Sequence, residues 1–136
     1  MAEYVLDASA TLAFLRDQPG AQAVEDALLK GCYISAVTWA QVSTALCQSG
    51  RSPEDIDRLV ADDGPLSSPS GNLLEIIPFT REDALIATRL QPGTERLELA
   101  DRACLALAER LKLPVLTDQP SKSSRSRLSL AGIQYE

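Results

Sequence analysis

LELADRACLALAERLKLPVLTD, residues 97–118, is the stretch from which the fold can be read. Ala100, Ala103, Cys104, Leu107, Ala108 and Leu111 recur at helical spacing and make one apolar face, leaving Arg102, Glu109, Arg110 and Lys112 for solvent. Asp101 falls in the first turn of this helix, and Pro114 is expected to stop it. Val115 and Leu116 then read as a short covered strand that delivers Asp118 just past its carboxyl end. Two carboxylates separated by one helix and one strand therefore converge on one edge of a sheet.

The rest of the chain supplies the other strands and helices. Tyr4-Val5-Leu6 is a strand ending on Asp7, and the helix after it, capped by Asp7 or Ser9, carries Leu12, Ala13, Phe14 and Leu15 as far as Gln18-Pro19-Gly20. A second helix over residues 21–30 ends at Gly31, and Cys32-Tyr33-Ile34 is a second strand. The helix that starts near Thr38 puts Val42, Ala45 and Leu46 on one face and stops at Gly50. Ser52-Pro53-Glu54-Asp55 is a cap, a proline at the first helical position and two acids at the positive dipole end; it opens a fourth helix containing Ile56, Leu59 and Val60.

Residues 64–72, GPLSSPSGN, read as a surface loop. Leu74 to Pro78 is a strand, Thr80 with Asp83 begins a fifth helix through Leu85, Ile86 and Leu90, and Gly132-Ile133-Gln134-Tyr135 is an edge strand. Alternating strands and helices, paired in parallel with right-handed crossovers, predict a three-layer α/β/α fold with a mainly parallel five-stranded sheet. A chain of 136 residues fits one domain, 1–136. Ligands of such sheets bind outside the carboxyl ends of the strands, where Asp7 and Asp118 fall.

Composition narrows the chemistry. The chain has no histidine, which excludes His-based triads, His metal sites and imidazole bases. Its formal net charge of −6 argues against holding nucleic acid mainly by counterion release, yet suits acids gathered around a cation. Cys32, Cys47 and Cys104 lie among apolar residues without metal or redox spacing and are expected to be reduced core residues. No signal-peptide pattern or membrane-spanning apolar run is present, and a cytoplasmic location is expected.

Singly, each acid has an ordinary explanation: Asp7 as a helix cap, Asp101 as an answer to the helix dipole, Asp118 as a turn residue. Jointly, three carboxylates meeting at one sheet edge repel one another and call for a counter-charge. With no His or Cys among them, the hard cations Mg²⁺ or Mn²⁺ fit better than zinc, and such sites commonly act on phosphate esters.

YVLDASATLAFL, ISAVTWAQV, IIPF and LADRACLALAERLKLPVLTD together resemble the PIN-domain nucleases, most closely the small VapC-type toxins of toxin–antitoxin pairs. The likeness covers nearly the whole chain in order. LDAS alone is weak; D-R-A-C-L-A-L-A followed by L-P-V-L-T is specific. The resemblance implies an Mg²⁺-dependent endoribonuclease with an acidic quartet, its catalytic positions being Asp7, Gln41, Asp101 and Asp118, and one or two metal ions. It also implies an antitoxin partner whose segment lies near the acids, an RNA substrate, and a homodimer formed through helices of the amino-terminal half.

Two positions depart from the family pattern. Asp118 follows Thr117 directly, where relatives usually have one residue between. Gln41 stands where relatives carry Glu, and a unit charge about 4 Å from a divalent ion is worth on the order of several kcal/mol at an effective dielectric near 20. Gln41 also fits a capping box with Thr38. Glu98, three residues before Asp101 and so on the same helical face, is a candidate fourth metal ligand with Asp7, Asp101 and Asp118.

Other residues keep two readings. Lys122, Arg125 and Arg127 either hold RNA phosphates or belong to a solvated loop. Arg102 is open in the same way, Ser9 orients a metal-bound water or caps, and Trp39 and Phe14 pack in the core or at an interface. The rival to a nuclease is a catalytically inactive PIN scaffold that binds antitoxin or RNA without cleavage. An Asp-nucleophile phosphatase is disfavoured, because Ser9 occupies the position where such enzymes need a second acid.

Overall fold

The computed structural model describes residues 2–61, 64–68, 71–90, 97–118 and 130–132. Five parallel strands make the main sheet: β1 (Tyr4–Leu6), β2 (Cys32–Ser35), β5 (Leu74–Ile77), β6 (Val115–Thr117) and β7 (Leu130–Gly132), in the order β5-β2-β1-β6-β7. β7 runs along β6, in register from Val115↔Leu130 to Thr117↔Gly132. It begins two residues earlier than the expected edge strand, whose residues 133–135 lie outside the described ones. Six helices accompany the sheet among the described residues: α1 (Ala8–Leu15), α2 (Ala21–Lys30), α3 (Ala36–Gln48), α4 (Pro53–Arg58), α5 (Arg81–Leu90) and α6 (Leu99–Leu111).

The strand alternation sorts the core into two layers. Leu6, Ile34, Leu74 and Leu116 pack with Val24 and Leu28 of α2, with Trp39, Val42 and Leu46 of α3 and with Ile56 of α4. Val5 and Val115 pack instead with Cys104, Leu105, Leu107 and Ala108 of α6. The registers Val5↔Val115 and Leu6↔Leu116 keep each pair on its own face. Trp39 is buried and Phe14 packs against the first cluster, so both are core residues. Cys32 and Cys104 are buried, Cys47 is half-buried, and all three are free thiols. No helix among the described residues is long and apolar enough to cross a membrane.

Several local expectations give way to tertiary contacts. α6 has more than one buried face: all six residues from Ala103 to Ala108 are buried, because α5 covers the side away from the sheet and packs Ile86 and Ala87 on Ala106. Pro114 does not end α6. Lys112 turns into the left-handed region at φ 59°, and the amides of Lys112 and Leu113 bond the carbonyls of Glu109 and Ala108, a Schellman closure two residues ahead of the proline. α4 stops at Arg58, so Leu59 and Val60 lie beyond it, and the expected loop over residues 64–72 holds the short antiparallel pair β3 (Ser67–Ser68) and β4 (Gly71–Asn72) with Leu66 buried beneath.

At α5 the expected start is present. Thr80 and Asp83 exchange bonds: the Thr80 N–H donates to Asp83 Oδ2 at 3.2 Å and the Asp83 N–H to Thr80 Oγ1 at 3.1 Å. Asp83 also receives a two-pronged bond from Arg110 of α6, at 2.6 and 3.2 Å. That pair ties the first turn of α5 to the last turn of α6.

Candidate active site

The sheet order places β1 between β2 and β6. The chain leaves β1 for β2 on one side and later returns to β6 on the other, so a topological switch point opens at the carboxyl ends of β1 and β6. Asp7 is the first residue past β1. Its N–H continues the ladder by donating to Leu116 O at 3.2 Å, and its side chain caps α1 by accepting the Ala10 N–H on Oδ1 at 2.8 Å. The carboxylate is only 7% exposed, so its charge depends on these neighbours.

Ser9 does not cap the helix. Its hydroxyl donates to Asp7 Oδ1 at 2.8 Å, accepts the backbone N–H of Asp118 at 2.9 Å, and lies 3.3 Å from Thr117 Oγ1. The fully buried Thr117 also bonds Asp7 through its side chain. Two ends of the sequence are thereby stitched together around one carboxylate.

Asp101 is the third residue of α6 and half-buried, and its charge reaches Asp7. α6 is held there by the Thr38 hydroxyl, which donates to Ala100 O at 2.9 Å, and by Cys104, whose thiol approaches Leu6 O at 3.5 Å. Burial pushes the Asp7 carboxyl above its ordinary value of 3.8; the bonds from Thr117, Ala10 and Ser9 pull it back, and the Asp101 charge pushes it further up. Burial likewise raises Asp118, whose Oδ1 is enclosed with no hydrogen-bond donor against it among the described residues. Cys104 is pushed well up by burial and by the charges of Asp7 and Asp101, which places its thiol beside both acids and keeps it protonated.

Asp7, Asp101 and Asp118 are thus brought to one edge. Gln41 is exposed on α3 and is no capping-box residue: α3 begins at Ala36 under a Ser35 cap, and Thr38 spends its hydroxyl on Ala100. Glu98 is the exposed N-cap residue of α6, three residues before Asp101, and its carbonyl accepts the Arg102 N–H at 3.0 Å. Arg102 bonds the carbonyls of Leu97 and Ala87 at 3.3 Å each, a structural role tying the start of α6 to α5. Lys122, Arg125 and Arg127 lie outside the described residues.

The donor set fits a hard divalent cation in kind, being carboxylate oxygens, of which Asp118 Oδ1 is buried with no donor against it among the described residues. Among the described residues, no three His, Cys, Asp or Glu side chains are already gathered as a metal-binding group. A cation would therefore have to draw the acids closer. A shallow cavity between α5 and α6, lined by Ile86, Arg89, Leu90 and Glu109, is separate from these acids.

The sequence points to Asp7, Asp101 and Asp118 at this edge but not to Ser9 and Thr117 as the groups that join Asp7 to Asp118. D-A-S and L-T-D each carry hydroxyls beside an acid, yet nothing local says that the two segments pair.

No curated protein matches the chain. Solved structures similar to it include a toxin–antitoxin complex from Klebsiella pneumoniae (17% identity, 94% of this chain and 96% of that chain, TM-score 0.67). A DNA-bound VapBC from Salmonella typhimurium is similar at 14% identity, over 98% of this chain and all (100%) of that one, with a TM-score of 0.71. VapC20 of Mycobacterium tuberculosis, described as a sarcin–ricin-loop-cleaving toxin, is similar at 8% identity over 90% of this chain and 95% of that chain, with a TM-score of 0.67. At these identities the likeness is one of fold. The model of the PIN domain matches residues 4–119, from the first strand to just past Asp118, and the chain belongs to the PIN-domain family.

Proposed function

We propose that the chain is a divalent-cation-dependent endoribonuclease of the VapC toxin type, acting as one PIN domain over its 136 residues. The observation that carries this reading is the convergence at the switch point: Asp7 is buried within reach of the Asp101 charge, and Asp118 hangs from the Ser9 hydroxyl that also bonds Asp7. Asp7, Asp101 and Asp118 would hold Mg²⁺ or Mn²⁺, which answers both the repulsion between Asp7 and Asp101 and the enclosed Asp118 oxygen. When bound, such an ion lowers the pKa of a water and polarises a phosphoryl oxygen for in-line displacement at an RNA phosphodiester.

The chain's own residues set the stage for that chemistry. Ser9, Thr117 and the Ala10 amide donate to Asp7 and favour its ionised form against the penalty of burial. Thr38 and Arg102 fix the first turn of α6 and with it Asp101. No covalent nucleophile is needed. Gln41 and Glu98, both exposed, remain candidates for completing the ligand set once RNA or metal is bound. The similar Klebsiella and Salmonella structures are toxin–antitoxin and DNA-bound assemblies; by that likeness the proposal extends to an antitoxin segment near the acids, a homodimer and a cytoplasmic setting.

A second reading, a PIN scaffold that binds without cleaving, is favoured by the uncharged Gln41. One assay separates the two. Purified parent, Asp7→Asn and Gln41→Glu are incubated with structured RNAs with and without Mg²⁺. Cleavage by the parent that needs Mg²⁺ and vanishes in Asp7→Asn is the expected result. A silent parent with a cleaving Gln41→Glu variant supports the scaffold reading, and cleavage indifferent to both metal and Asp7 overturns the site assignment.

A further inference from the structure

We infer that Ser9 is a positioning residue for Asp118, holding that acid in register with Asp7 across the central strand pair. A serine hydroxyl has one proton to give and two lone pairs to receive with. Here the proton goes to Asp7 Oδ1 at 2.8 Å, while a lone pair takes the Asp118 N–H at 2.9 Å. The helix gains nothing essential from this hydroxyl, because Asp7 itself caps α1 through the Ala10 amide. Its acceptor serves a residue 109 positions away in the sequence.

Asp118 is the first residue past β6, where the ladder no longer dictates the backbone. Thr117 before it is clamped by the strand, and the Asp118 amide is held by its bond to the Ser9 hydroxyl. Oδ1 of the same residue is enclosed. Ser9 thus connects the placement of two carboxylates: a change in the Asp7 side chain is felt at the Asp118 backbone through one oxygen. The contacts stand in the fold itself; their consequence for metal binding rests on the ribonuclease reading.

The test uses ¹⁵N-labelled parent, Ser9→Ala and Ser9→Thr, with hydrogen exchange measured at the Asp118 amide and, as references, at the Val5 and Cys32 amides, which bond Pro114 O and Leu73 O. Exchange at Asp118 is expected to rise about tenfold in Ser9→Ala and return to within about twofold of the parent in Ser9→Thr, with the references unchanged. Mn²⁺ titration of the same proteins, Asp118→Asn and Ser9→Ala/Asp118→Asn is expected to show about threefold weaker binding for Ser9→Ala. The double variant should lose less than the two single losses combined. Unchanged exchange at Asp118 in Ser9→Ala, or an equal rise at Val5 and Cys32, overturns the inference. A parent that binds no Mn²⁺ defeats the ribonuclease reading alone, and the amide comparison still decides the role of Ser9.

Discussion

The hydroxyl of Thr38 donates to the carbonyl oxygen of Ala100 at 2.9 Å, joining the first turn of α3 to the first turn of α6 inside the core. Thr38 is fully buried, and Ala100 is one residue from Asp101. The bond is therefore a direct fastening between the helix that carries Gln41 and the acid at the sheet edge. Thr38→Val keeps the shape and removes the donor; a loss of about 1 kcal/mol in denaturant unfolding is expected, near the net worth of one buried hydrogen bond. Thr38→Ser should recover most of it.

Asp83 and Arg110 predict a larger effect. The Asp83 side chain is 1% exposed and the Arg110 side chain 21% exposed, so the carboxylate is the buried partner. The Asp83 carboxylate, with its bonds, holds the Arg110 guanidinium still further above its ordinary range. Arg110→Leu leaves that charge uncompensated and should cost about 2 to 4 kcal/mol, discounted from the fully buried case because Arg110 is partly in solvent. Adding Asp83→Asn removes the charge while keeping an oxygen for the Thr80 amide, and should restore more than half. Urea unfolding of the three proteins measures this.

Gly64 tests the packing behind α4. A Cβ at this position would overlap the Arg58 carbonyl oxygen and sit 2.8 Å from that of Leu59. Both are backbone atoms and cannot swing aside. Gly64→Ala should destabilise the protein by about 2 kcal/mol, in the range of overpacked sites, with the shift concentrated in the amide signals of α4.

The acids make stability depend on pH in a defined direction. Asp7 and Asp118 have folded pKa values above the ordinary 3.8, so the folded state binds more protons than the unfolded one once pH passes that value. Stability of the metal-free protein should therefore fall as pH rises from about 3.8 through the raised folded values, and Mg²⁺ should flatten that fall. Asp7→Asn keeps the cap oxygen and removes the buried charge. Its Tm at pH 7 without metal should exceed that of the parent while Mg²⁺ no longer raises it; a lower Tm would show that the charge stabilises the fold.

Much of the architecture was legible because its signals are local. Val5 and Leu6, Cys32 to Ile34 and Val115 with Leu116 are short apolar runs between breakers, and Ser52-Pro53-Glu54-Asp55 and Thr80 with Asp83 are starts that act within one turn. Asp7 and Asp101 could be placed at the sheet edge by the same means, one ending a strand and one opening a helix. Where two local signals competed, local reading failed. Thr38 and Gln41 formed a plausible capping box, but the helix begins earlier under Ser35, and Thr38 bonds across to α6 instead. Pro114 was a plausible stop, but Lys112 adopts the left-handed conformation first.

By itself the sequence determined the order of the main-sheet strands and the helices, the absence of imidazole chemistry in a chain without histidine, and the acids Asp7 and Asp118 at the ends of two strands. The tertiary structure decided what those acids touch: that Ser9 and Thr117 bond Asp7, that Asp118 is hung from Ser9, and that α6 is buried between sheet and α5. The physical reason is range. Helix caps and apolar periodicity act over three or four residues, whereas laying β6 beside β1 brings together groups 109 positions apart, and only that pairing gives the Ser9 hydroxyl its second partner.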